Sequence, residues 1–182
     1  MTLPLPLRVQ AATAQVLTEQ ALVLDLPLWL PWPLPPGWLV TGLGWVGDTQ
    51  TQRATVLACS GPNPVGGDAD LLLVAEEPGT GLGGGYAGLD SPHPGAEVGD
   101  GPPHARIGAD GHQVSMWWVS SAAPDRAVYA GEAGGRWLWL ILHPESAGTL
   151  MMERLSLADV RALGHEVELL AYGPLSPRLR PS

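Results

Sequence analysis

Residues 127–143 read AVYAGEAGGRWLWLILH. Two apolar runs flank Gly134-Gly135, and a two-residue hairpin turn needs the positive φ that glycine adopts without steric cost. The spacing therefore predicts a β-hairpin. A two-residue turn sets Ala133 opposite Arg136, Glu132 opposite Trp137, Ala130 opposite Trp139 and Val128 opposite Ile141. In the second strand Trp137, Trp139 and Ile141 share one face while Leu138, Leu140 and Leu142 share the other. A strand apolar on both faces belongs inside a sheet that is covered on both sides.

Upstream, WLVTGLGWVG (38–47), RATVLACS (53–60) and ADLLLVAEE (69–77) read as strands separated by the turn-rich segments DTQTQ and GPNPVGGD. Short polar loops between consecutive strands imply antiparallel neighbours. A further strand is expected from His112 to Val119, and another at EVELLAY (166–172). Residues 78–111 are rich in Gly and Pro and predict a long surface loop with one or two brief ordered pieces. Two helices are expected. The first, at 8–23, carries Val9, Ala12 and Val16 on one side. The second, at 157–163, starts from a capping-box-like Ser156 and Asp159, aligns Leu157, Val160 and Leu163, and ends at Gly164 as a C′ residue. The run DLPLWLPWPLPPGW favours an extended path because its prolines lack amide donors, with Trp29, Trp32 and Trp38 covering the sheet.

The fold class is thus α+β: a mainly antiparallel sheet of about six to eight strands with an N-terminal helix and a short C-terminal helix packed on it. One domain is expected over residues 1–182, with a helical lead at 1–25, a Pro/Trp-rich extended segment at 26–37, a sheet-and-helix core at 38–172 and an irregular tail at 173–182. A chain of this length buries about 70% of the surface it exposes unfolded.

Composition excludes whole classes of chemistry. All nine basic residues are Arg, and the absence of Lys removes the P-loop lysine, Schiff-base catalysis and the protein-kinase phosphate lysine. The net charge of −9 opposes nucleic acid and anionic membranes as partners. Asp25 and five prolines break the apolar stretch 21–41, so it is no spanning helix. The opening residues MTLPLPLRVQ lack the pattern of a secretion signal, and the expected location is cytoplasmic. A single cysteine, Cys59, excludes an internal disulfide and CxxC motifs, and its place in a strand favours an inert buried thiol.

Two segments match GxGxxG: Gly42, Gly44, Gly47 and Gly79, Gly81, Gly84. With 24 Gly in 182 residues, chance supplies roughly 0.4 such matches. A dinucleotide site also needs a following helix whose N-terminal amides hold the pyrophosphate. Neither DTQTQR nor YAGLDSPHPG reads as one, so no cofactor is expected. His143-Pro-Glu145 resembles the HxE of zinc deaminases but lacks the two further Cys ligands. Glu76 and Glu77 adjoin on a strand and point to opposite faces. No GxSxG elbow is present.

The segments WLPWPLPPGWLVTG, LACSGP, LLLVAEEPGTGLGGGYAGL, DRAVYAGEAGGRWLWLILHPESAG and GHEVELLAYGPLSPRL, from Leu26 to Leu179, resemble a family of uncharacterised actinobacterial cytosolic proteins. The resemblance implies no catalytic residues. Longer members begin with a Cys-rich, zinc-ribbon-like segment, whereas this chain has a Cys-free helical lead there.

Eight Trp and the lack of convergent acid, base and nucleophile signals point to a non-catalytic binding or protein-interaction module, with an unknown small molecule or protein as its partner. The ligand-binding residues expected are Glu132, Trp137 and Trp139, since Glu132 is the one carboxylate on an otherwise apolar hairpin face. The alternative is a small metal-dependent hydrolase using His93, His104 and His112 near Glu97, Asp100 and Asp110.

Overall fold

The Gly134-Gly135 turn forms with φ of 63° and 81°, positive at both positions as a type I′ turn requires. It joins β8 (Ala127–Ala133) to β9 (Arg136–His143) in the register read from the sequence. The computed structural model describes residues 6–48 and 50–180. The first five residues of the expected lead, Thr49 of the DTQTQ turn and the last two residues of the expected tail lie outside the described residues.

From β9 the sheet continues antiparallel through β5 (Asp68–Glu76), β4 (Gln52–Pro62), β3 (Leu39–Gly47) and β1 (Leu7–Gln10). From β8 it continues through β7 (His112–Trp118), β6 (Ala105–Ala109), β10 (Ser156–Asp159) and β2 (Trp29–Pro31). Only β6–β10 is parallel among the strand pairs of the described residues. The fold is therefore dominated by one sheet of ten described strands.

The sheet curls until β2 lies across β4 and β5. Thr55 Oγ1 donates to the Pro27 carbonyl, and the Asp25 N–H donates to Gln52 Oε1 at 2.9 Å. Asp159 fixes the far edge, where Oδ1 accepts the Leu28 N–H at 3.2 Å and the Arg161 N–H at 3.0 Å. The curl encloses a core of Leu28, Leu30, Leu43, Leu57, Leu71, Leu73, Met116, Leu138, Leu140 and Leu142. Because side chains alternate along a strand, Leu72, Val74, Val128, Ala130, Trp139 and Ile141 face outward into a second core. The short helix α2 (Leu82–Ala87) and Leu179 of the C-terminal segment cover it.

Several expectations are corrected. The lead is strand at Leu7–Gln10, and the helix begins only at Ala14, where Thr13 Oγ1 accepts the Val16 N–H at 3.1 Å. That helix, α1 (Ala14–Val23), sends Leu17 into the inner core and lies against the 3₁₀ turns Val160–Ala162 and Gly164–Leu169. The expected helix at 157–163 is β10 followed by a 3₁₀ turn capped by Asp159, because Leu157 and Asp159 alternate inward while their backbone pairs with β2 and β6. The expected strand EVELLAY begins within the 3₁₀ turn Gly164–Leu169, and only its Tyr172 bridges to Val40. The segment at 78–111 is not all surface, since five of the six α2 residues are buried.

Glycine at position 83 is imposed by packing. A Cβ built there lies far inside van der Waals contact with Cδ2 and Cε2 of the Trp139 indole, a ring that is itself wholly buried. Neither group has room to move in a close-packed interior. Gly83→Ala is expected to cost about 1–3 kcal/mol by overpacking, read as a lower urea midpoint, whereas Gly134→Ala meets no neighbour and should cost only the strain of its left-handed backbone. Equal effects of the two would show that the Trp139 contact does not constrain α2.

Candidate functional site

Where β9 ends, α2 and the C-terminal segment meet over the outer face of the sheet and leave a cavity of about 140 Å³. Its polar wall is made by Tyr86, Arg126, His143, Arg178 and Arg180. Each is delivered by a different local cause.

The position of α2 depends on Glu76, the last residue of β5 and wholly buried. Its Oε2 accepts the N–H groups of Leu82 at 2.9 Å and Gly83 at 3.2 Å, the first turn of α2. Trp139 lies close enough to favour the ionised carboxyl. Even so, neither Glu76 Oε1 nor Trp139 Nε1 completes a hydrogen bond of normal geometry within the described residues. Burial dominates over these contacts and raises the Glu76 carboxyl to about 7. The second GxGxxG thus does open a helix, which the sequence reading lacked, but its two leading amides are filled by the protein's own carboxylate. The first lies in β3, where Gly42 sits at a bulge and receives the Leu179 side chain.

At the other end of α2 the Tyr86 hydroxyl donates to the Leu179 carbonyl at 2.6 Å, and Arg126 Nη1 donates to the Tyr86 carbonyl at 2.6 Å. The segment expected as an irregular tail is docked. Val40 N–H donates to Ala171 O, Gly173 N–H to Val40 O and Ser176 N–H to Thr41 O, and Leu179 is fully buried. This anchorage points Arg178 and Arg180 at the cavity.

His143 pairs with Asp70 of β5 across the sheet and is only 5% exposed. Burial, reinforced by Arg178 and Arg126, holds its imidazole down at about 4, against the smaller pull of Asp125 and Asp70. The ring is neutral at pH 7. Arg126 Nε pairs with Asp125 at 2.7 Å and Arg178 Nε with Asp70 at 3.2 Å. Among the described residues three arginines against two aspartates leave one excess positive charge at this cavity, in a chain of net charge −9. Burial raises the Tyr86 hydroxyl despite the nearby Arg180.

The residues expected from the sequence lie elsewhere. Glu132 is exposed at the hairpin rim, where Oε1 accepts the Gly135 N–H at 2.8 Å. It borders a cleft of about 300 Å³ together with Trp29, Asp110, His112, Arg136 and Arg161, but neither Trp137 nor Trp139 lines that cleft. Trp139 is sealed beneath α2, and half-buried Trp137 meets the edge of His93 at 5.5 Å between ring centroids. His93 Nδ1 accepts the Gly95 N–H at 3.0 Å, and His104 Nδ1 accepts the Trp118 N–H at 3.0 Å. These histidines serve separate loops. Among the described residues no three His, Cys, Asp or Glu side chains are placed to share a metal ion. Glu77 points away from Glu76 and pairs with Arg136 at 2.9 Å. The Cys59 thiol is buried and its ionisation suppressed. No helix among the described residues is long and apolar enough to cross a membrane.

Sequence reasoning missed Tyr86, Arg126, Arg178 and Arg180 because they are far apart in the chain and follow no motif spacing. His143 drew notice only within a failed deaminase pattern.

The chain belongs to a family of unknown function, DUF6758, whose model matches residues 3–179. No curated protein and no solved structure matches it.

Glu76 makes stability depend on pH. Its folded-state pKa, about 7, lies above the ordinary value of 4.5. The folded state therefore holds the extra proton, and this contribution is complete below pH 4.5 and lost as pH rises through 7. His143 acts oppositely, since its depressed pKa favours folding above pH 6.5 and that gain disappears as pH falls through 4. Comparing Glu76→Gln with the wild-type protein cancels the histidine. The variant should gain in relative stability between pH 5 and 8, by up to about 1.4 kcal/mol per pH unit within the window. A pH-independent difference in urea midpoint would refute the buried ionisation.

Proposed function

We propose that this protein is a non-catalytic binding module whose ligand is a small anion held in the cavity between α2, His143 and the docked C-terminal segment. The observation that carries this reading is the convergence of three of the nine arginines on one concave site of an acidic chain. Arginine presents a rigid fork of donors that matches carboxylate and phosphate oxygens. With Nε of Arg126 and Arg178 committed to aspartates, these side chains are oriented before any ligand arrives.

Support for a binding role rather than catalysis comes from the remainder of the wall. Among the described residues no Ser, Thr, Cys or carboxylate side chain lines the cavity, and a histidine with a pKa near 4 is a poor base at neutral pH. A volume of about 140 Å³ suits one small group; pockets for drug-sized ligands are about 300–1,000 Å³. The proposed setting is the cytoplasm of an actinobacterium, in keeping with the resemblance of the segments from Leu26 to Leu179. The partner proposed is neither nucleic acid nor a membrane, because the excess charge is a single point rather than a stripe that tracks a phosphate backbone.

Titration calorimetry with inorganic phosphate, at ionic strength held constant with chloride, tests the reading. The wild-type protein should bind with a saturable isotherm, and Arg178→Gln and Arg180→Gln should each weaken binding about tenfold or more, since a charge-assisted hydrogen bond contributes about 1.5–3 kcal/mol. Both side chains are solvent-exposed, so the thermal midpoints without phosphate should stay unchanged. Absence of phosphate binding by the wild-type protein sinks the proposal.

A further inference from the structure

His143 has a position that the arginines alone do not explain. It is 95% buried by its 5% exposure, yet no described residue hydrogen-bonds to either ring nitrogen. Neither nitrogen is a sealed orphan, in contrast to Trp139 Nε1. His143 lines the cavity, and its ring nitrogens remain open to a partner from outside the described residues.

Charge balance then limits the occupant. The groups facing His143 are Asp70 from β5, Asp125 and Arg126 from the approach to β8, Tyr86 from α2, and Arg178 and Arg180 from the C-terminal segment. With Tyr86 and His143 neutral, the three arginines and two aspartates sum to +1. A singly charged ion is matched by this wall, whereas a doubly charged one leaves a net negative charge beside the buried His143 ring, where a proton on the imidazole would neutralise it. One proton on His143 raises the wall to +2. It also changes the ring chemically, because neutral imidazole offers one donor and one lone pair while imidazolium offers two donors and no lone pair to repel an oxyanion.

We infer that His143 takes up a proton as the cavity fills, and that the site thereby selects doubly charged tetrahedral oxyanions, either the free ion or the phosphoryl end of a larger molecule. This inference rests on the anion-binding reading above. The depressed imidazole pKa agrees with it: the free site keeps His143 neutral chiefly through burial and further through Arg178 and Arg126, and a dianion between the arginines offsets their repulsion and stabilises the charged ring. Proton uptake links binding to pH, so affinity falls as pH rises, by up to about tenfold per unit where the free ring is neutral and the bound ring charged.

Sulfate is the decisive probe, since it carries two charges throughout the range used and cannot itself supply the slope. Calorimetric titration of the full chain with sulfate between pH 5 and 7.5 should show weakening affinity with rising pH. Repeating one titration in two buffers of unlike ionisation heat should reveal uptake of up to one proton per sulfate. Nitrate, singly charged, should show neither effect. His143→Gln should retain weakened sulfate binding with the pH slope gone. Should that variant fail to fold, the two-buffer measurement on the wild-type protein decides alone. Sulfate binding to the wild-type protein without slope or proton uptake overturns the histidine inference and leaves the anion site standing. No sulfate binding at any pH overturns both. Inorganic phosphate and glycerol phosphate compared at one pH distinguish the two ligand sources, and either ranking is compatible with the proton step.

Discussion

Burial of β9 on both faces is the constraint on which this structure depends. Leu138, Leu140 and Leu142 on one side and Trp139 and Ile141 on the other are all wholly enclosed. A single sheet has only its own edges and loops with which to cover two such faces. The inner face is covered by curling, which brings the edge strand β2 with Leu30, and Leu28 just before it, over β4 and β5. The outer face needs separate pieces, and α2 and the C-terminal segment supply them. Burying large aliphatic and aromatic side chains contributes about 1.5–3 kcal/mol each, which is ample reason for both covers to stay in place.

The outer cover has a polar cost that is met internally. Seating α2 flat on Trp139 requires glycine at 83 and turns the first amides of the helix toward the sheet, away from water. Glu76 satisfies them, but a carboxylate at that depth is itself poorly solvated. Its raised pKa is the residue of that compromise. An internal carboxylate at a helix start also closes off the phosphate cradle that the glycine spacing suggests at first sight.

The cavity is a consequence of covering one face with two pieces. α2 and the C-terminal segment approach each other through the Tyr86 hydroxyl and the Leu179 carbonyl, and they do not fill the space beyond Leu72 and His143. Packing alone would leave such a gap apolar or close it. Here arginines from both sides reach it, while their aspartate partners are not among its lining residues. Positive charge is thereby concentrated at one point of a protein whose overall field is negative.

The sequence by itself determined the local elements whose signals are contained in short windows. Gly134-Gly135 fixed the turn and, through the two-residue period, the whole β8–β9 register. The apolar runs at 38–47, 53–60 and 69–77 marked three antiparallel strands for the same reason, with ends that differ by a few residues at most. Where local propensity was weak, tertiary pairing decided: Leu7–Gln10 and Ser156–Asp159 have helix-like spacing but serve as strands because a neighbouring edge offered hydrogen bonds. The residues expected to form a site are dispersed for a related reason. Glu132 and Trp137 do face each other as the register requires, but the rim of a hairpin is solvated, while Trp139 lies under a helix that no local signal announced. Tyr86, Arg126, His143, Arg178 and Arg180 span nearly a hundred residues of chain without a shared motif. Their meeting was decided only by the tertiary structure, because it depends on which loops are left to cover a sheet too apolar to leave either face in water.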